Sequence, residues 1–160
     1  MSQELGPWQQ AWVASLRSGD NPQGRGLLCC FSEKDKEYFF CCLGIACEVL
    51  LTNEIKLPFG MRKHKDEISC NYFWYGDEST EDDDFALTLP IEAVEVFCFY
   101  GSEGTIMSSQ LNKRDRTALD KALEGNRMSS LAGLNDTGWT FEQIADLVER
   151  FPKAFFSKAA

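Results

Sequence analysis

The feature that most constrains this chain is an apolar run from Phe39 to Leu51, which contains a single charged residue, Glu48. From Cys41 onward, apolar residues recur at helical spacing on more than one face, as in the series Cys42, Ala46, Val49 and the series Leu43, Cys47, Leu50. A helix that is apolar on most sides is a buried helix. The run therefore predicts a central core helix that ends near Thr52-Asn53.

Composition and charge limit the class of protein. The 160 residues, 44% hydrophobic and 26% charged, fit one domain spanning residues 1–160, with a sizeable core. A net charge of −9 repels phosphate backbones and anionic lipids, so we expect neither direct nucleic-acid binding nor membrane binding. No apolar run approaches the ~18 residues of a membrane helix, and no secretion signal follows Met1. We expect a cytoplasmic protein.

The chain has seven cysteines, an odd number, and four of them form the adjacent pairs Cys29-Cys30 and Cys41-Cys42. Without a secretion signal, this pattern predicts reduced thiols that pack as small apolar side chains. Structural zinc sites favour Cys-x-x-Cys knuckles, and the chain offers only Cys42-x4-Cys47 and the lone His64. We therefore expect no metal and no cofactor.

Periodicity and turn residues predict an α+β fold: an N-terminal helix, small antiparallel hairpins, the buried central helix and a C-terminal helix-corner-helix. In the corner, Asn135-Asp136-Thr137-Gly138 joins two helices, and Thr140 with Gln143 forms a capping box for the second. The predicted helices are 5–16, 41–52, 91–100, 113–123, the segment 128–134 that leads to the corner, and 141–151, and the predicted strands are 27–31, 37–40, 68–75 and 85–89.

Several blocks together resemble a family of small, largely uncharacterised proteins of tailed phages and their prophages. The blocks include Leu16-Arg17-Ser18-Gly19, Gln23-Gly24-Arg25-Gly26, Cys41-Cys42-Leu43-Gly44 and Leu134-Asn135-Asp136-Thr137-Gly138-Trp139. Their order and spacing match along nearly the whole chain. The resemblance implies a phage origin and a compact α+β fold, and it implies no reaction.

Two segments are candidates for ligand contact. The first is a loop in which two glycines bracket Arg25, an arrangement that can present the guanidinium and backbone N–H groups to an anion. The second is the Asn135-Asp136 corner, which offers hydrogen bonds for a ribose or a base. The predicted ligand-binding residues are Arg17, Gln23, Arg25, Asn135, Asp136 and Trp139. The alternative for both segments is structural: glycines for turns, and short polar side chains that cap helices.

A third segment is strongly acidic. Asp77, Glu78, Glu81, Asp82, Asp83 and Asp84 fall within eight residues, without the turn glycine of a calcium loop. This segment is either a solvated loop or a surface that binds a basic protein partner. An enzyme has weaker support, because no nucleophile or P-loop motif is present and only Asp136 with Glu142 offers an acid/base pair.

From these observations we expect a phage accessory protein in the cytoplasm of the infected host cell. Its expected role is that of a non-enzymatic binding module that sequesters a small anionic or nucleotide-like ligand, such as a host-defence signalling nucleotide. The alternatives are an acidic, DNA-mimic-like inhibitor of a host protein and a small hydrolase. A homo-oligomer is consistent with each of them.

Overall fold

A computed structural model of the chain describes residues 4–57, 59–63, 70–75, 88–123 and 128–159. Within these ranges, an α-helix, a strand pair, a second α-helix and a second strand pair are followed by four more α-helices and two short 3-10 helices. The helices are α1 (Pro7–Arg17), α2 (Cys42–Thr52), α3 (Ile91–Phe97), α4 (Lys113–Ala122), α5 (Leu131–Asp136) and α6 (Phe141–Arg150), and the strands are β1 (Cys29–Ser32), β2 (Glu37–Phe40), β3 (Phe59–Lys63) and β4 (Cys70–Tyr75). The predicted α+β class is confirmed.

The four strands form one antiparallel sheet in the order β2-β1-β4-β3. Strand β1 is central, because Cys29 lies opposite Phe40 on one side and opposite Phe73 on the other. The predicted hairpin of β1 and β2 and the strand before Tyr75 are confirmed. Strand β3 is not among the strands that the sequence predicts.

Helix α2 is the buried centre of the fold, as the apolar run predicts. Eight of its eleven residues are buried, and Leu43, Ile45 and Leu50 are fully so. Trp12 of α1 packs against it and donates a hydrogen bond from Nε1 to the Cys42 carbonyl oxygen (2.8 Å). The Trp12 indole also meets the rings of Phe99 and Phe156 edge to face, so the ends of the chain share one aromatic cluster.

Two element boundaries differ from the sequence prediction. Helix α3 ends at Phe97 and is capped by Cys98, which takes a left-handed conformation (φ +59°), whereas the predicted helix extends to residue 100. Thr88 and Leu89 are not in a strand, and residues 85–87 of that strand prediction lie outside the described residues. The acidic segment 77–84 and His64 also lie outside them. The single-domain boundary, residues 1–160, stays a prediction.

None of the helices in the described ranges has the length and hydropathy that a membrane-spanning helix needs.

Candidate functional site

The corner between α5 and α6 is built by local sequence. The Thr140 hydroxyl accepts a hydrogen bond from the Gln143 amide (3.2 Å), and the Gln143 side chain accepts one from the Thr140 amide (2.9 Å), which completes the predicted capping box. Gly138 takes φ +101°, a conformation that residues other than glycine rarely adopt. Its amide donates a hydrogen bond to the Asn135 backbone carbonyl oxygen (3.1 Å), which closes the end of α5. The corner is therefore a rigid turn.

Asn135 is fully buried and joins this corner to two distant segments. Its Oδ1 accepts hydrogen bonds from the Cys42 backbone amide (3.2 Å) and from Gln23 Nε2 (2.9 Å). Its Nδ2 donates to the Gly24 carbonyl oxygen (2.9 Å) and to Asp136 Oδ1 (3.3 Å). The amide thus uses both its oxygen and its nitrogen inside the protein, as a buried polar group requires.

Gln23 makes a second set of connections in the same place. Its Nε2 also donates to the Trp139 carbonyl oxygen (2.7 Å), and its Oε1 accepts from the Phe141 amide (3.1 Å) at the start of α6. Next to it, the Gly26 amide donates to Asp136 Oδ1 (2.8 Å). The segment Gln23-Gly24-Arg25-Gly26, here called the glycine-rich loop, is therefore bound to the corner through the Gln23 side chain, the Gly24 carbonyl oxygen and the Gly26 amide.

The Cys41-Cys42-Leu43-Gly44 block forms the third side of this arrangement. Cys41 caps the N-terminus of α2, since its sulfur accepts from the Gly44 amide (3.4 Å), and the Cys42 thiol donates to the Leu131 carbonyl oxygen (3.6 Å) of α5. Gly44 lies so close to β1 that a Cβ added there would be 1.8 Å from the Leu28 carbonyl oxygen. The glycine lets α2 pack directly on the backbone before β1.

The glycine-rich loop, the Cys41-Cys42-Leu43-Gly44 block and the Asn135-Asp136 corner border a cleft of about 540 Å³. The described residues that line it are Gly26, Cys41, Thr88, Glu103, Ser130, Ala132, Gly133 and Asp136. Burial raises the pKa of the Cys41 thiol to about 11, so at neutral pH the sulfur is a protonated thiol and a weak nucleophile. Among the described lining residues, the charges are the two exposed carboxylates, Glu103 and Asp136.

One family model matches residues 1–151 of the chain, and its description is "Domain of unknown function (DUF8296)". The chain belongs to the DUF8296 family. No curated protein and no solved structure matches the chain. Membership in DUF8296 extends over nearly the whole chain and brings no activity with it, and the resemblance to tailed-phage proteins stays a prediction.

The structure brings most of the predicted ligand residues together and gives them different surroundings. Asp136 lines the cleft, whereas Gln23 and Asn135 are not among the described lining residues and are hydrogen-bonded to each other. Arg25 is exposed, and its guanidinium lies beside Gly138 of the corner, where an added Cβ would be 3.1 Å from Nη2. Trp139 is half-buried against the core. Ligand contact by these residues stays a prediction.

Arg17 lies away from this group, between α1 and α6. Its guanidinium pairs with Glu142 (3.4 Å), Glu149 (2.8 Å) and Asp146. Hydrogen bonds to Glu149 and Asp146 raise the pKa of Arg17. Glu142 and Asp136 thus have separate partners, and the suggested acid/base pair is not joined by a hydrogen bond within the described part of the chain.

Sequence reasoning missed several residues of the cleft. Glu103 and Ser130 are not among the predicted site residues, and neither belongs to a recognisable motif. Backbone contacts between the two segments bring Glu103 and Ser130 close to each other. Thr105 forms an isolated β-bridge with Ser130, and the Ala132 amide donates to the Glu103 carbonyl oxygen (3.2 Å). Within the described residues, no group of three His, Cys, Asp or Glu side chains is placed to hold a metal ion.

Proposed function

We propose that this chain is a non-enzymatic binding module that holds a small ligand in the cleft beside the Asn135-Asp136 corner. The observation that carries the proposal is the cleft itself. Its volume of about 540 Å³ falls within the range of roughly 300–1,000 Å³ that is typical of small-molecule sites. The glycine-rich loop, the Cys-Cys-Leu-Gly block and the Asn-Asp corner each contribute one described lining residue: Gly26, Cys41 and Asp136.

The hydrogen bonds around the cleft support a preformed site. Gln23 and Asn135 fix the loop, the start of α2 and the corner with bonds of 2.7–3.2 Å, so binding requires little ordering of these segments. Rigid placement of polar groups lowers the entropic cost of binding. These two residues act as positioning residues in this proposal, and Asp136 acts as a direct contact.

The surroundings of the candidate catalytic groups favour binding over catalysis. A general base needs a carboxylate within hydrogen-bond reach of a proton that it removes, and a nucleophile needs an activating partner. In the described part of the chain, Asp136 Oδ1 accepts from two amide groups, and the Cys41 thiol is held protonated by burial. The site is therefore suited to recognition.

The proposal extends to a ligand class and a setting. The ligand is a nucleotide-like molecule of host defence, and the chain acts as a phage accessory protein in the cytoplasm of the infected cell, as a monomer or a homo-oligomer. The glycine-flanked Arg25 beside Gly138 of the corner supports a nucleotide-like ligand, because a guanidinium is a strong partner for phosphate.

Native mass spectrometry tests the proposed site. The protein is incubated with a mixture of nucleotides and cell metabolites, and heat denaturation then releases what is bound. Two variants are compared: Ala132→Phe, which fills the cleft, and Ala14→Phe on the exposed side of α1, with thermal unfolding to confirm that both are folded. We expect a discrete added mass on the wild type and on Ala14→Phe, and none on Ala132→Phe. No added mass, or a mass retained by folded Ala132→Phe, contradicts the proposal.

The acidic inhibitor is the second candidate function, and the net charge of −9 favours it, because opposite fields speed encounter with a basic partner. Its six predicted contact residues, the acidic residues from Asp77 to Asp84, lie outside the described residues. Replacing all six with Asn or Gln tests it directly. We expect loss of activity in infected cells if this segment binds the partner, and unchanged activity removes the candidate.

A further inference from the structure

We propose that the cleft recognises the ribose hydroxyl groups of a nucleoside, and that any phosphate of the ligand lies outside it. This inference rests on the proposed function and specifies which part of a nucleotide-like ligand the cleft holds. It follows from three features of the described lining residues: the carboxylate oxygens, the missing positive charge and one buried hydroxyl group.

The first feature is a set of carboxylate oxygens to which no described group donates a hydrogen bond. Asp136 Oδ1 accepts from Gly26 and Asn135, whereas Asp136 Oδ2 and both carboxylate oxygens of Glu103 have no hydrogen-bond partner within the part of the chain that the structure describes. Ionised carboxylates only accept hydrogen bonds. A matching ligand therefore presents donors, and the neighbouring 2′ and 3′ hydroxyls of a ribose supply two. Carboxylates serve the same purpose in dinucleotide-binding folds.

The second feature is the sign of the charge. None of the described residues that line the cleft is Lys, Arg or His, and the guanidinium of Arg25 lies at Gly138, outside this lining. A phosphate placed between Glu103 and Asp136 would meet two like charges, and the repulsion grows as the ligand excludes water. The cleft thus favours the uncharged part of a nucleotide-like molecule.

The third feature is Ser130, which is 8% exposed and lines the cleft. Its Oγ accepts a hydrogen bond from the Gly133 amide (3.2 Å), and its hydroxyl proton has no acceptor among the described residues. A buried donor without an acceptor is costly, so this proton favours a ligand acceptor such as a ring oxygen or a base nitrogen. The carboxylates and Ser130 together call for a ligand with both donors and acceptors, as a nucleoside has.

Isothermal titration calorimetry with three matched sets of probes tests the inference: the four common ribonucleosides, their 2′-deoxy forms and their 5′-monophosphates. We expect at least one ribonucleoside to bind about tenfold more tightly than its 2′-deoxy form, because one hydrogen bond to a charged group is lost. The 5′-monophosphate should bind no more tightly than the nucleoside. Equal binding of the deoxy form, or a monophosphate that binds tenfold more tightly, overturns the inference.

Variants assign the effect to the carboxylates. Glu103→Gln and Asp136→Asn should each weaken ribonucleoside binding about tenfold, since each removes a charged acceptor. The variant that removes the acceptor of the 2′ hydroxyl should leave deoxynucleoside binding within about twofold, because the deoxy form lacks that hydroxyl. Glu92→Gln on the exposed side of α3 is the matched control and should bind like the wild type. Failure of all four ribonucleosides to bind also overturns the inference. In that case a mass still retained in native mass spectrometry upholds the proposed function with another ligand class, and no retained mass contradicts both.

Discussion

The side-chain amide of Asn135 connects three segments that are far apart in the sequence. Its partners Cys42, Gly24 and Gln23 are 93, 111 and 112 residues away. Because Asn135 is fully buried, each of these groups would lose its partner without gaining water if the amide were removed. At the residue scale, this one side chain holds the wall of the cleft together.

We expect Asn135→Ala to lower the free energy of unfolding by about 3 kcal/mol, because several buried groups become unsatisfied. Urea unfolding measures the loss. Asn53→Ala is the matched control: Asn53 is exposed, and its side chain donates one bond to the Val49 carbonyl oxygen (2.8 Å), so a loss of under about 1 kcal/mol is expected. Equal losses in the two variants would show that the Asn135 network contributes little.

Gly44 is the second residue whose identity the structure explains. A methyl group at this position would overlap the Leu28 carbonyl oxygen, which also accepts the Cys41 amide (3.1 Å), so neither helix α2 nor the chain before β1 has room to move. We expect Gly44→Ala to lower the free energy of unfolding by about 3 kcal/mol or to prevent folding.

Gly19→Ala is the control for Gly44→Ala. Gly19 has φ +74° and open space around it, so alanine there costs only the backbone strain, about 1–2 kcal/mol. If denaturant unfolding of the two variants gave the same loss, the close approach of α2 to Leu28 would not be a determinant of the fold.

Helices α1 and α6 pack side by side, and Arg17 joins their solvent-facing edges. The guanidinium meets three carboxylates of α6, all of them on its exposed face. Such pairs contribute little in water because solvent and salt screen them. Gln9 makes the deeper contact of α1, since its Nε2 donates to the carbonyl oxygens of Phe97 (2.9 Å) and Lys158 (2.8 Å).

We expect Arg17→Met to lower the free energy of unfolding by about 0.5–1 kcal/mol at low salt, because the ion pairs are lost and the stem still packs. The difference from wild type should vanish in about 1 M NaCl, where the screening length is about 3 Å. Denaturant unfolding at both salt concentrations measures this, with the exposed Arg114→Met as control. A salt-independent loss would contradict the ion-pair account.

The helices were predictable because their signals are local. The stripe of α6, the capping box at Thr140 and the apolar run of α2 each lie within a few turns of sequence. Strand β3 was not predictable in the same way, since its sequence Phe59-Gly60-Met61-Arg62-Lys63 lacks alternation and becomes a strand by pairing with β4. The end of α3 depends on Cys98, whose carbonyl oxygen accepts the Ser157 amide (2.9 Å) from the far end of the chain.

The candidate site was predictable in part. The glycine-rich loop and the Asn-Asp corner were predicted as two candidate segments for ligand contact, and the structure places them side by side. The buried state of Asn135 and the arrival of Glu103 and Ser130 were not foreseen, because they depend on contacts between segments far apart in the sequence. A short polar side chain in a turn looks the same in sequence whether it caps a helix or faces a ligand.

At the scale of the whole molecule, the core holds several thiols as well as hydrocarbon. Burial raises the pKa of Cys29 to about 12 and that of Cys41 to about 11, from an ordinary value of 9.0, and it raises the pKa of Cys42 and Cys47 well above that value. Six cysteines are thiols that form no disulfide with one another: Cys29, Cys30, Cys41, Cys42, Cys47 and Cys98. The folded core thus keeps its thiols protonated.

This predicts a loss of stability in alkali. Above about pH 9 the unfolded chain releases thiol protons that the folded chain retains, so the free energy of unfolding falls as the pH rises towards 11. Urea unfolding at about pH 8 and about pH 10 measures the slope. Cys41→Ser should be less steep, because serine also caps a helix but does not titrate in this range. A flat profile between these two pH values would contradict the burial of the thiols as protonated groups.

The central claim is that the cleft beside the Asn135-Asp136 corner binds a small ligand. The most direct test is a two-dimensional ¹H–¹⁵N NMR spectrum of the labelled protein before and after addition of a cell-metabolite extract. We predict that the amide signals of Gly26, Cys41, Gly133 and Asp136 shift, while those of the sheet residues Phe31 and Tyr38 stay in place. Unchanged spectra, or shifts confined to the sheet, would contradict the account.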